Sequence, residues 1–200
     1  MKLKFLGHSS FKLITNENRI IYIDPYSGEY DEGANLILVS NGNYDHCSRT
    51  IIKQIRHDNT EVITSNENSG AINAERLGYN EEKLIDEHIQ VKALRAQSEQ
   101  YPNAISFLIK VDGVILYFAG ATKKLENVDC DIAIIPVGGT YTLTPEEASE
   151  DIRKVKPKVV IPMHYGSVEG TIENAEHFYE LLSDAHIKVM VMNEDEEVNF

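Results

Sequence analysis

A chain of 200 residues with 42% hydrophobic side chains can bury one sizeable core and is too short to argue for two domains, so a single domain over residues 1–200 is expected. Its 32 acidic against 19 basic residues leave a formal charge of −13, which repels a phosphate backbone and argues against nucleic acid as a partner. The opening apolar run is too short for a signal peptide, and no window approaches the roughly 18 apolar residues of a membrane helix, so a cytoplasmic protein without a membrane partner is expected. Cys47 and Cys130 lie far apart with no Cys-x-x-Cys spacing and are read as reduced thiols.

Taken in chain order, the first forty residues are rich in short β-branched runs: Phe11–Ile14, Ile20–Ile23 and Leu36–Val39, with Asn16-Glu17-Asn18 as a turn between the first two. Residues 48–57 place Ile51, Ile52 and Ile55 on one helical face. Residues 70–77 place Ala71, Ala74 and Leu77 similarly, with Gly78 as an expected C-terminal cap. Strands are predicted near Val62–Thr64, Ile89–Leu94, Ile105–Val111, Val114–Phe118, Ile132–Pro136 and Val159–Pro162, with Asp112-Gly113 as a hairpin turn. Thr144-Pro145-Glu146-Glu147 is a capping box with proline at the first helical position, and predicts a helix to about Lys154. A last helix is predicted over roughly 173–183, buried through Ala175, Phe178, Leu181 and Leu182.

Several strands run into loops rich in polar or glycine residues, where α/β folds collect their chemistry. These loops carry Gly7-His8-Ser9-Ser10, Asp24-Pro25, Ser40-Asn41-Gly42-Asn43-Tyr44-Asp45-His46-Cys47, Gly120-Ala121-Thr122, Gly138-Gly139-Thr140-Tyr141 and Pro162-Met163-His164-Tyr165-Gly166. As an ordered set, from residue 3 to about residue 170, they resemble the metallo-β-lactamase superfamily. More narrowly, they are similar to its small stand-alone metal-dependent hydrolases related to the ascorbate-lactone hydrolase group. The resemblance implies an α/β fold, a four-layer αββα sandwich, with a metal site at one edge between two sheets. It also implies zinc or another divalent ion as cofactor and a His-x-His-x-Asp-His loop supplying ligands, because imidazole and carboxylate suit a borderline dication.

The chain departs from that pattern in one half of the site. Asn41 and Asn43 stand at the first two histidine positions and Ala121 at the bridging carboxylate, while no histidine lies between His88 and His164. Gln97 or Tyr101 falls where a further histidine is expected. Asp45, His46 and His164 match the other half-site residue by residue, so at most one ion is expected, held by these three with one position open. Asp45 and His164 are then the candidate catalytic residues, Asp45 doubling as general base. The resemblance places His8 and Asp24 beside the site as outer groups that orient ligands, unless they only satisfy each other or the backbone.

Tyr141 is a candidate for the pocket mouth, and Tyr44 and Tyr165 either contact a bound small molecule or pack in the core. The Gly138–Tyr141 loop is read as a structural turn before the capped helix, and His57, His88, His177 and His186 as surface or packing residues. Two functions follow as alternatives. One is a hydrolase of a small ester, lactone, amide or phosphoester. The other is a non-catalytic relative that keeps the scaffold as a binding or regulatory domain, with one ion or none. A small molecule is the expected partner in either case, and a homo-oligomer is compatible with the sequence though no motif requires it.

Overall fold

The computed structural model describes residues 1–65, 69–98 and 100–200. The first half of the chain starts as an antiparallel meander of β1 (Lys2–Gly7), β2 (Ser10–Ile14) and β3 (Ile20–Ile23). β4 (Leu36–Val39), β5 (Glu61–Thr64) and β6 (Glu75–Arg76) then add in parallel, with α1 (Arg49–Ile55) crossing between β4 and β5. The second half repeats the plan. β7 (Glu82–Leu84), β8 (Ile89–Arg95), β9 (Ile105–Val111) and β10 (Val114–Phe118) are antiparallel, and β11 (Ile132–Pro136), β12 (Val159–Met163) and β13 (Lys188–Val189) follow in parallel. The last strand, β14 (Glu197–Asn199), returns to pair with β1, so among the described residues each sheet has seven strands.

The central strands β4 and β11 form because their runs are nearly continuous in Ile, Leu, Val and Ala and are buried on both faces. Phe11 on β2 meets Phe5 at 5.0 Å and Phe118 on β10 at 6.2 Å between ring centroids, joining the two sheets through one apolar layer. On the outer face of the first sheet, Ile52 and Ile55 of α1 pack with Tyr22, Ile37, Val39 and Val62. α3 (Pro145–Val155) and α4 (Ile172–Leu181) bury Ala148, Ile152, Ala175 and Phe178 with the residues of the second sheet. The result is the expected α/β sandwich of helix, sheet, sheet and helix. Among the described residues, no helix is long and apolar enough to cross a membrane.

Local chemistry explains most boundaries. Thr144 accepts from the Glu147 amide while Glu147 reaches back to the Thr144 amide, completing the capping box read from the sequence. Asp112 and Gly113 hold φ of 52° and 80°, the double left-handed geometry of a two-residue hairpin turn. The helix expected over 70–77 differs, and the short edge strands β6, β7, β13 and β14 were not among the expected elements. α2 covers only Ser69–Ile72, because Asn73 turns left-handed at φ 48° and the next residues leave as β6, pairing Glu75 with Ile63 and Arg76 with Thr64. Leu77 is buried in the inter-sheet core, and the Gly78 amide donates to Glu81 in a turn instead of capping a helix. A parallel sheet edge outcompeted a weak apolar stripe.

Candidate metal centre

The site is built where loops leave the strands at one edge of the sandwich. His8 sits in the turn between β1 and β2, Asp24 follows β3, Asp45 and His46 close the loop after β4, and His164 follows β12 in the other sheet. Three of these residues hold left-handed backbone, His8 at φ 53°, Asp24 at 46° and His164 at 63°. Such conformations are uncommon for residues with a Cβ, and they cluster at functional sites. The His164 amide donates to the His8 carbonyl at 2.9 Å, fastening the two sheets together at this point. Behind His164, glycine is required: a Cβ on Gly170, at φ 68°, would collide with the His164 carbonyl and with Gly138.

His46 is fully buried and its Nδ1 lies 2.6 Å from Asp24 Oδ2. The Asp24 carboxylate is itself fixed by the Ser40 amide on Oδ1 and the Ser40 hydroxyl on Oδ2, both at 2.6 Å. Both Asp24 oxygens already accept bonds from Ser40, and with the imidazole N–H on Nδ1 donating into the short contact, the lone pair of Nε2 faces away from it. Burial pulls the His46 pKa down and Asp24 pushes it up, with a net rise.

His164 repeats the arrangement with Glu169, whose Oε1 lies 2.9 Å from His164 Nδ1. Here burial dominates and lowers the pKa to about 3, leaving the ring neutral, while Glu169 is held below its usual range: burial raises it, but His164 more than offsets that. Glu169 carried no signal in the sequence, because its role depends on the fold-back of the loop between His164 and Gly170.

The structure therefore brings Asp45, His46 and His164 into one neighbourhood and adds His8 to it. One nitrogen from each of His8, His46 and His164 lies within 4.8 Å of the others, a triad able to hold a metal ion. Asp45 Oδ2 is 3.2 Å from His8 Nε2 and 3.7 Å from His46 Nε2. Burial raises the Asp45 pKa, but the contacts with His8 and His46 bring it down to about 2. His46 Nε2, His164 Nε2 and Asp45 Oδ1 are all buried without a hydrogen-bond partner. A buried polar atom left unpaired costs about 1–3 kcal/mol, and a cation accepting these lone pairs removes that cost.

The other half of the expected site does not fit an ion. Asn41 spends its carboxamide oxygen on the Asn43 amide at 2.9 Å, and Ala121 presents only a buried methyl. The Gln97 amide donates to Glu126 at 3.2 Å, and Tyr101 is coupled to Asn43, with burial and Asp45 raising its pKa. Neutral carboxamides are weak ligands for transition metals.

Tyr165, expected as a pocket residue or a core residue, takes the core role. Its ring packs 5.6 Å from Phe5 and its hydroxyl donates to the Met192 carbonyl at 2.6 Å. Tyr44 is exposed and meets Tyr26 edge-on at 5.9 Å. Tyr141 is half exposed and lines, with Gln97, Pro102 and Lys123, an open cleft of about 1410 Å³. The Gly138–Tyr141 loop folds on itself, the Gly139 amide donating to the Leu143 carbonyl at 3.1 Å, as expected of a structural turn. His88 and His177 pair with Glu17 and Glu146 away from the site, and Cys47 and Cys130 are free thiols.

Residues 2–164 match the family model described as a beta-lactamase superfamily domain. The chain is 31% identical to the UPF0173 metal-dependent hydrolase of Nanoarchaeum equitans, with 100% of each chain covered. It is 28% identical to the UPF0173 metal-dependent hydrolase of Thermococcus kodakarensis, with 99% of each covered. A crystal structure of a candidate metal-dependent hydrolase from Parabacteroides distasonis superposes with a TM-score of 0.84 at 26% identity, covering 94% of this chain and 91% of that one. Igni18, a metallo hydrolase from Ignicoccus hospitalis, superposes at 0.85 with 21% identity, over 100% of this chain and 97% of that one, a likeness of fold.

Proposed function

This chain belongs to the metallo-β-lactamase superfamily, with metal-dependent hydrolases among its relatives, and from that premise we propose that it is a hydrolase working with a single divalent cation held by Asp45, His46 and His164. The observation that carries the reading is the pair of buried, unpartnered Nε2 atoms on His46 and His164, each on a ring whose Nδ1 is held by a carboxylate. That is the arrangement of histidines prepared to ligate a metal. When bound, such an ion polarises a scissile carbonyl or phosphoryl group and makes hydroxide available near neutral pH. The substrate class is a small ester, lactone, amide or phosphoester, admitted from the side of Tyr141.

The protein groups have separable tasks. Asp24 and Glu169 fix tautomer and ring direction. Asp45 stays ionised and offsets part of the charge of a dication. A carboxylate held near 2 is a weak proton acceptor at neutral pH, so Asp45 serves better as a ligand than as the general base.

The replacement of half the expected ligands by Asn41, Asn43 and Ala121 favours a second reading, a non-catalytic binding or regulatory relative. Elemental analysis separates the two. Protein purified without chelator and equilibrated with zinc or manganese is expected to hold about one ion per chain, lost in an Asp45→Ala/His164→Ala control, and to hydrolyse part of an ester and phosphodiester panel. No ion in the wild-type protein sinks the hydrolase reading, and an ion without hydrolysis leaves the binding role.

A further inference from the structure

We propose that His8, from the turn between β1 and β2, is a direct ligand of the cation, so that the ion has four protein donors, His8, Asp45, His46 and His164. This rests on the single-cation reading above and changes its ligand set.

The distances separate two kinds of contact in this cluster. The orienting pairs are short, 2.6 Å for His46 with Asp24 and 2.9 Å for His164 with Glu169, as charge-assisted hydrogen bonds are. The contacts of Asp45 with His8 Nε2 and with His46 Nε2 are longer, 3.2 and 3.7 Å. Donors at about 2.0–2.1 Å from a tetrahedral ion stand about 3.3 Å from one another, and the two Asp45 contacts bracket that spacing. His8 is fully buried and packs against His164 with ring centroids 4.1 Å apart and the planes tilted by 34°. Its left-handed backbone and its carbonyl bond to the His164 amide aim the ring into the cluster. A histidine needed only to hold Asp45 has no use for a position within 4.8 Å of two other ring nitrogens that lack partners.

The chemistry of the missing half-site gives this position a purpose. With Asn41, Asn43 and Ala121 in place, three donors would leave the ion bound on one side only, and His8 closes that deficit from the turn after the first strand. A fourth protein donor leaves any substrate or water to enter as a fifth ligand. That favours cations accepting five or six ligands over strictly four-coordinate zinc.

Cobalt(II) substitution tests the assignment without relying on activity. In the proton spectrum of the cobalt-loaded protein, each ligating histidine contributes one strongly shifted, exchangeable imidazole N–H resonance. Three are expected for the wild-type protein and two for His8→Gln, together with at least a hundredfold weaker cobalt binding in chelator competition. Two resonances in the wild-type protein overturn the role of His8 while leaving the single-cation reading intact, and that count decides even if His8→Gln fails to fold. No cobalt uptake by the wild-type protein overturns both.

Discussion

The side chains of the site include two imidazoles whose protons are placed by neighbouring carboxylates. Asp24, fixed by two bonds from Ser40, takes the Nδ1–H of His46, and Glu169 takes that of His164. Asp24→Asn offers no anionic acceptor, so metal affinity measured by chelator competition is expected to fall about 10–100-fold with the fold retained. His164 also gives a pH prediction. Its folded pKa, about 3, lies below the ordinary value of 6.5 because burial penalises the charged ring. Between those two values the unfolded chain takes up a proton that the folded protein refuses, so stability falls as pH drops from 6.5 towards 3. His46, with a raised folded pKa, contributes in the opposite sense, its stabilisation lost as pH rises through that value. Urea unfolding of the metal-free protein is therefore expected to show a shallower acid-side loss in His164→Gln than in wild type, and an identical slope would contradict the neutral buried ring.

At the scale of the element, stop signals decided what local sequence could decide. The capping box at Thr144 formed as written because both of its bonds lie within four residues. Thr144→Ala removes one of them, and a loss of about 1 kcal/mol in urea unfolding is expected, with metal binding unchanged. The Asp112-Gly113 hairpin was legible for the same reason. The stripe over residues 70–77 was not, because its alternative was an exposed edge on β5. A helix of four residues has little internal stability to set against a strand pairing, and no periodicity in the sequence reports where a sheet has an open edge.

Between the two sheets, the site is a clasp. His8, Asp45 and His46 hang from the first sheet and His164 from the second, so a bound cation stabilises only the conformation in which the sheets are packed. With metal at about a hundred times its dissociation constant, linkage adds about 2.7 kcal/mol. For a domain of this size that corresponds to a Tm higher by roughly 5–10 °C, which excess chelator is expected to reverse. A Tm indifferent to metal would mean that the clasp does not close.

The sequence alone carried the longer strand runs, the capped helix, the hairpin turn, the family resemblance, and the grouping of Asp45 with His46 and His164. All of these rest on short-range chemistry or on an ordered set of motifs. It also marked the half-site where Asn41, Asn43 and Ala121 stand. Three relations emerge on folding: Glu169 holds His164, Tyr165 belongs to the core, and His8 lies within reach of the other imidazoles. The last two relations join segments from opposite ends of the chain across two sheets, and the first depends on how the loop from His164 to Gly170 folds back. His8 and His164 are 156 positions apart in sequence, yet share a backbone hydrogen bond of 2.9 Å.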